Sequence, residues 1–127
     1  LVQRSKPYIY STAVPPAIVQ TTLDSINMIM DDKKIIENLY HNITYFKKLV
    51  REFKININYS DTPIQTITIG NPKDVMKIYK KAKESNILIQ GIRYPTVPKN
   101  HDLIIINLTS GHTKKQIQSL VEFLHKI

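Results

Sequence analysis

Two short segments combine a stiff backbone with groups able to hold a ligand. They are Tyr8-Ile9-Tyr10-Ser11-Thr12-Ala13-Val14-Pro15-Pro16 and Ile92-Arg93-Tyr94-Pro95-Thr96-Val97-Pro98. In the first, the paired prolines suit the opening turn of a helix, so Ser11 and Thr12 would offer hydroxyls beside a positive helix end, where an anion such as a phosphate is favoured. The same hydroxyls could equally serve only to cap or turn the chain. In the second, residues before proline are pushed to extended conformations, so Pro95 and Pro98 would hold Arg93 and Thr96 on a stiff, non-helical strut. Such a strut suits a binding edge, or an ordinary connection between strands. Other chemistry finds little support. The chain has no cysteine, and His41, His101, His112 and His125 show neither HxxxH nor HExxH spacing, which argues against a metal site. With Gly70, Gly91 and Gly111 as the only glycines, there is no Gly-rich phosphate loop and no GxSxG nucleophile turn.

The elements that must position these segments follow from periodicity. A helix starting at Pro15-Pro16 would carry Val19, Leu23, Ile26 and Met30 as one apolar packing face down to Asp31-Asp32. Asp31 or Asp32 can cap a second helix, whose Ile36, Leu39, Ile43, Phe46, Val50 and Phe53 form the most regular stripe of the chain. Residues Ile55 to Tyr59 alternate as a short strand or extended edge, and Ile64 to Ile69 is rich in β-branched residues and stopped by Gly70. Asn71 and Pro72 open a third helix with Val75, Tyr79 and Ala82 inward, ending near Ser85-Asn86. Strands are expected over Ile87 to Ile92 and over Leu103 to Leu108, the latter apolar enough to be buried on both faces. Thr113 and Gln116 fit a capping box for a last helix, with Ile117, Leu120, Val121 and Leu124 as its stripe. About four helices and three strands in an α/β or α+β layer arrangement result.

Length and charge narrow the class. The 127 residues, 42% of them apolar, suffice for one domain with a modest core. The net charge of +8 comes from 15 lysines but only three arginines, Arg4, Arg51 and Arg93, a ratio poorly suited to bidentate nucleic-acid recognition. The pairs Lys33-Lys34, Lys47-Lys48 and Lys80-Lys81 read as solvated outer faces of helices. No apolar run spans a membrane and no signal-peptide pattern opens the chain, so a soluble, cytoplasmic protein without nucleic-acid or membrane partners is expected.

The two proline-rigid segments also carry a resemblance. "YIYSTAVPPA" resembles the "F/YIFSTxLPP" stretch of the α-oxoamine synthases, and "GIRYPTVPK" their "IRPPTVPxG" stretch, in the same order and spacing. "TPIQTITIG" and "NLTSGHTKKQIQSLVEFL" resemble further segments, so the likeness runs from Tyr8 to Leu124. The Ile-Gln strand and Arg93 resemble the biotin-synthesis branch, whereas Tyr94 is similar to the 5-aminolevulinate branch. The resemblance implies the C-terminal small domain of an aspartate-aminotransferase-type fold, a homodimer, pyridoxal 5'-phosphate, and decarboxylative condensation of an amino acid with an acyl thioester. In the biotin branch these substrates are alanine and a pimeloyl thioester. It further implies that Thr96 and Arg93 bind substrate, and that Ser11 and Thr12 serve the cofactor's phosphate or the acyl group.

Two departures from the family pattern shape the expectation. The imine-forming lysine of the family lies upstream of the "YST" stretch, and no lysine here occupies that motif. Residues 1–127 are therefore expected to be a single C-terminal domain, 1–30 leading into an interdomain helix and 31–127 forming the small domain. The cofactor-binding domain would be absent and the chain inactive by itself. Aligned through His112, Ile105 and Leu103 stand where the family's "ARLRL" strand carries arginines, one of which grips the amino-acid carboxylate. An isoleucine cannot do so, and a parent weak on alanine is expected. The alternatives are a diverged, non-catalytic dimerisation or binding domain, or another branch of the family such as the 5-aminolevulinate synthases.

Overall fold

The computed structural model describes residues 4–6 and 12–127. Its delimited elements are α1 (Pro16–Asp31), α2 (Lys33–Glu52), β1 (Ile64–Thr68), α3 (Pro72–Glu84), β2 (Gln90–Ile92), β3 (Leu103–Asn107) and α4 (Lys114–His125). The chain divides into two compact units, Leu1–Lys33 and Lys34–Ile127.

In the first unit, Pro15 occupies the N-cap position of α1 and Pro16 opens the helix. Thr21, Thr22 and Ser25 donate their hydroxyls to the carbonyls of Ala17, Ile18 and Thr21, each at 2.8 Å. The expected packing face is present as a stripe but covers nothing: no residue of α1 is buried, and Leu23 and Ile26 stay about half exposed. A single amphipathic helix has no second layer within its own unit against which to bury that face.

The second unit holds the core. Along α2 the stripe goes under progressively: Ile36 is exposed, Leu39 half-buried, and Ile43, Phe46, Leu49 and Val50 buried. Asn42 lies in the same stripe, three residues past Leu39 and four before Phe46. Its side-chain amide donates to the carbonyls of Thr109 and His112, at 2.9 and 2.8 Å, and so ties α2 to the turn before α4. The cap of α3 is as expected, with Asn71 accepting from the Asp74 N–H at 2.9 Å. So is the capping box of Thr113 and Gln116 on α4. Ile117, Val121 and Leu124 are buried and Leu120 half-buried.

The sheet is antiparallel throughout, in the order β1-β3-β2, with Thr66 and Gln90 both opposite Ile105, and Thr68 and Ile92 both opposite Leu103. One face, bearing Gln65, Ile104 and Ile106, is buried with the helices; the other bears Leu103 and Ile105, which stay half exposed. Burial of β3 on both faces is thus corrected to burial on one, because an antiparallel sheet needs a covering layer on a single side only. Two strands are shorter than their patterns suggest. Residues Ile55 to Tyr59 contribute one bridge, Asn58 to Thr66. Ile87 to Ile89 stay outside β2, and the Ile87 N–H returns to the Ala82 carbonyl at 2.8 Å around Asn86, whose φ is 56°. This left-handed C-terminal wrap closes the end of α3 immediately before the segment.

Candidate functional site

The second proline segment is organised by a residue outside it. Asp102, 1% exposed, directly precedes β3. Its carboxylate accepts from the Tyr94 N–H at 3.1 Å, and its carbonyl accepts from the N–H groups of Ile69 and Gly70 at 2.8 and 2.9 Å. One residue therefore holds the segment after β2 by its side chain and the end of β1 by its backbone, at the mouth of β3. Gly70, with φ of 92°, makes that corner possible for β1.

The segment itself is non-helical, as expected, but closes into a turn where extended backbone was expected before the prolines. Thr96 N–H donates to the Arg93 carbonyl at 2.9 Å, His101 N–H to the Pro98 carbonyl at 3.1 Å, and the Tyr94–Pro95 peptide is cis. Prolines restrict the backbone without deciding its direction, and the buried Asp102 carboxylate supplies the direction by holding Tyr94. The Lys99 ammonium lies 5.6 Å from the centre of the Tyr94 ring. Arg93 and Thr96 are both exposed, and neither side chain has a hydrogen bond or ion pair among the described residues. The turn thus presents a guanidinium and a hydroxyl with no internal commitment.

Arg93 follows Ile92, which stands opposite Leu103 on the open face of the sheet. That face reads Thr66, Thr68, Gln90, Ile92, Leu103 and Ile105, apolar in the centre with hydroxyl and amide groups around it. The side chains of Leu103 and Ile105 can exclude water from a neighbour, but offer it no charge. Asn58 donates to the hydroxyls of Thr66 and Thr68, each at 3.0 Å, and thereby orders the β1 margin.

Ser11 lies outside the described residues. Thr12 is exposed, and with Pro15 in the N-cap position it does not cap α1. It belongs to the first unit and Arg93 and Thr96 to the second, so only the latter pair is brought into one arrangement. The described residues do not by themselves fit pyridoxal phosphate. Lys47 is the one lysine among them that is not exposed, and its ammonium is bonded to Asp61 at 2.6 Å. No group of three or more His, Asp or Glu side chains among the described residues could hold a metal ion, and no helix there is long and apolar enough to cross a membrane.

Sequence reasoning missed Asp102 and Asn42. The signal for Asp102 was an acid set directly against an apolar strand, and for Asn42 an amide inside a helical apolar stripe. A buried polar group needs a partner, and both are spent on fastening loops.

The fold finds its counterpart in known proteins. Residues 1–124 match the family model of aminotransferase class I and II, and the chain belongs to that family. Within it, the chain is 34% identical over all 127 residues to 8-amino-7-oxononanoate synthase of Alkaliphilus oremlandii. The structure of 8-amino-7-oxononanoate synthase from Francisella tularensis superposes with a TM-score of 0.78 at 28% identity, over 98% of this chain and 36% of that one. A serine palmitoyltransferase from S. paucimobilis, solved with PLP and myriocin bound, shares the fold at a TM-score of 0.83 and 19% identity, over 95% of this chain and 31% of that one. The chain spans about a third of the length of the curated relatives it matches.

Proposed function

We propose that this chain is the C-terminal domain of a pyridoxal-phosphate-dependent acyltransferase of the 8-amino-7-oxononanoate synthase type, with residues 1–30 leading into the interdomain helix and 31–127 forming the small domain. The parent would condense an amino acid with an acyl thioester, with loss of carbon dioxide. The observation that carries the reading is the Arg93–Thr96 turn, held by buried Asp102 at the margin of the open sheet face with both side chains uncommitted. It is supported by likeness along the whole chain to synthases of that name.

In this reading the Thr96 hydroxyl orients the substrate, and the Arg93 guanidinium pairs with an acidic group of the acyl substrate. The apolar centre of the open face excludes water from the reacting groups. Ser11 and Thr12 serve the phosphate side of the site. Pyridoxal phosphate supplies a ring that stabilises a carbanion on the amino acid, and is held by the part of the parent that this chain does not span. The parent acts as a cytoplasmic homodimer, and the isolated chain is inactive. Leu103 and Ile105 give the parent no guanidinium on β3 for the amino-acid carboxylate, so alanine is a poor substrate. The same two residues favour a second reading, a diverged binding or dimerisation domain without catalysis.

Adding pyridoxal phosphate to the 127-residue chain is expected to give no protein-bound visible absorbance band that borohydride fixes; such a band would overturn the inactivity of the chain. For the parent, turnover of alanine and a pimeloyl thioester is expected to be weak and to fall further in Thr96→Ala and Arg93→Gln. Losing a charge-paired contact costs about 2 to 5 kcal/mol. Parent turnover of any amino acid with an acyl thioester excludes the non-catalytic reading, and its absence for every pair favours it.

A further inference from the structure

The ladder between β2 and β3 closes at Gln90 and Ile105. Carried two residues further, the same register would set Leu88 opposite Asn107; instead Leu88 is 91% exposed. The parted strands and the first turns of α4 leave a cavity of about 410 Å³ between them. Its apolar lining comes from Ile87, Ile106, Leu108, Ile117 and Leu120. Its cationic member is Lys115, whose ammonium has no hydrogen bond or ion pair among the described residues. His112 also lines it. The imidazole Nδ1 of His112 accepts the Thr109 N–H at 3.0 Å, so the neutral ring carries its proton on Nε2 and keeps a donor to spend. No aspartate or glutamate lines the cavity.

A volume in the range of small-molecule sites, an apolar floor, neutral polar groups and a single charged group, the Lys115 ammonium, specify a kind of ligand. We propose that this cavity binds a medium-chain aliphatic carboxylate, its hydrocarbon against the isoleucine and leucine floor and its carboxylate against Lys115 and the His112 Nε2–H. The site stands at the opposite end of β2 from the Arg93–Thr96 turn and does not depend on the function proposed above. A cation of the same length is refused, because it would meet Lys115 with no carboxylate to offset the repulsion.

The test is an amide NMR titration of the 127-residue chain with sodium octanoate, with octylamine as the control of charge sign. Saturable shifts confined to residues 85–88, 106–108 and 112–120 are expected, with a Kd below about 1 mM. Octylamine should give no saturable shifts. Lys115→Gln, at an exposed position, should weaken octanoate about tenfold, equivalent to ~1.4 kcal/mol. Ser119→Trp, which fills the cavity from the helix surface, should abolish binding without lowering the thermal midpoint. The proposal is overturned by failure to saturate at about 10 mM, by equal affinity for octylamine, by full affinity in Lys115→Gln, or by shifts spread over the open sheet face.

Discussion

Gly91 and Asp102 each occupy a position that tolerates little else, for different reasons. A Cβ built on Gly91 would come within 2.6 Å of the Val75 Cγ1, and Val75 is fully buried and β-branched, so it cannot swing aside. Gly91→Ala is expected to lose about 1 to 3 kcal/mol by overpacking. Chemical denaturation should show the loss, and the double variant Gly91→Ala/Val75→Ala should be less destabilised than the two single losses added together. Strict additivity would mean that the contact between α3 and β2 is not the constraint. At Asp102 the constraint is a hydrogen bond. Asp102→Asn can still accept from Tyr94 N–H, whereas Asp102→Ala leaves that donor unpartnered, costing about 1 to 3 kcal/mol. Asn should therefore be mild and Ala severe, and amide exchange at Tyr94 and Thr96 should accelerate only in the latter. Equal exchange in both would show that the turn holds itself without the carboxylate. Gln65 marks the opposite case. Fully buried, it donates to the carbonyls of Ser60 and Thr62 at 3.2 and 2.6 Å, while its own carbonyl oxygen has no partner among the described residues.

Helix ends carry the pH dependence. The Asp74 carboxyl in the first turn of α3 is held below its usual 3.8, first by the hydrogen bond from the Asn71 amide and then by Lys77. A carboxyl depressed in the folded state contributes stability that is fully present above 3.8 and fades as the pH falls through the lower folded value. Asp61, lowered by its bond from Lys47 between α2 and the loop before β1, works in the same direction. The urea midpoint should thus fall modestly below pH about 4, and less in Asp74→Asn. An unchanged acid limb in that variant would assign the acid sensitivity to other groups. Where elements end was only partly legible. The Asn71 and Thr113 caps are local chemistry and read directly from the residues, as did the proline start of α1. The truncation of β2 was not legible, because Ile87, Leu88 and Ile89 have strand-forming side chains. The Ile87 N–H instead closes the end of α3 on the Ala82 carbonyl, a contact set by the helix end and not by the strand pattern.

At the scale of the molecule, charge and apolar surface are unevenly shared. The described segment 12–32 carries Asp24, Asp31 and Asp32 and no basic residue, while the chain as a whole has a net charge of +8. Along α1, Val19, Leu23, Ile26 and Met30 are 54%, 49%, 50% and 72% exposed, a contiguous apolar stripe of the kind that drives association. The isolated chain should therefore self-associate at concentrations of about 100 µM, and Leu23→Glu/Ile26→Glu should return it to a monomer, as read by sedimentation velocity. A monomeric unsubstituted 127-residue chain at that concentration would show that the stripe is too weak to associate. Periodicity and capping by themselves determined where the helices and the strands β1 and β3 fall, and which side of each helix is apolar, because both depend on neighbours within a few positions along the chain. The two proline segments also marked the family from the residues alone. Only the tertiary structure decided that β3 is covered on one face, that the Arg93–Thr96 segment closes into a turn, and that α1 covers nothing in its own unit. Each of those outcomes rests on a contact between residues distant in sequence or on the absence of a covering layer, and neither is written in local spacing.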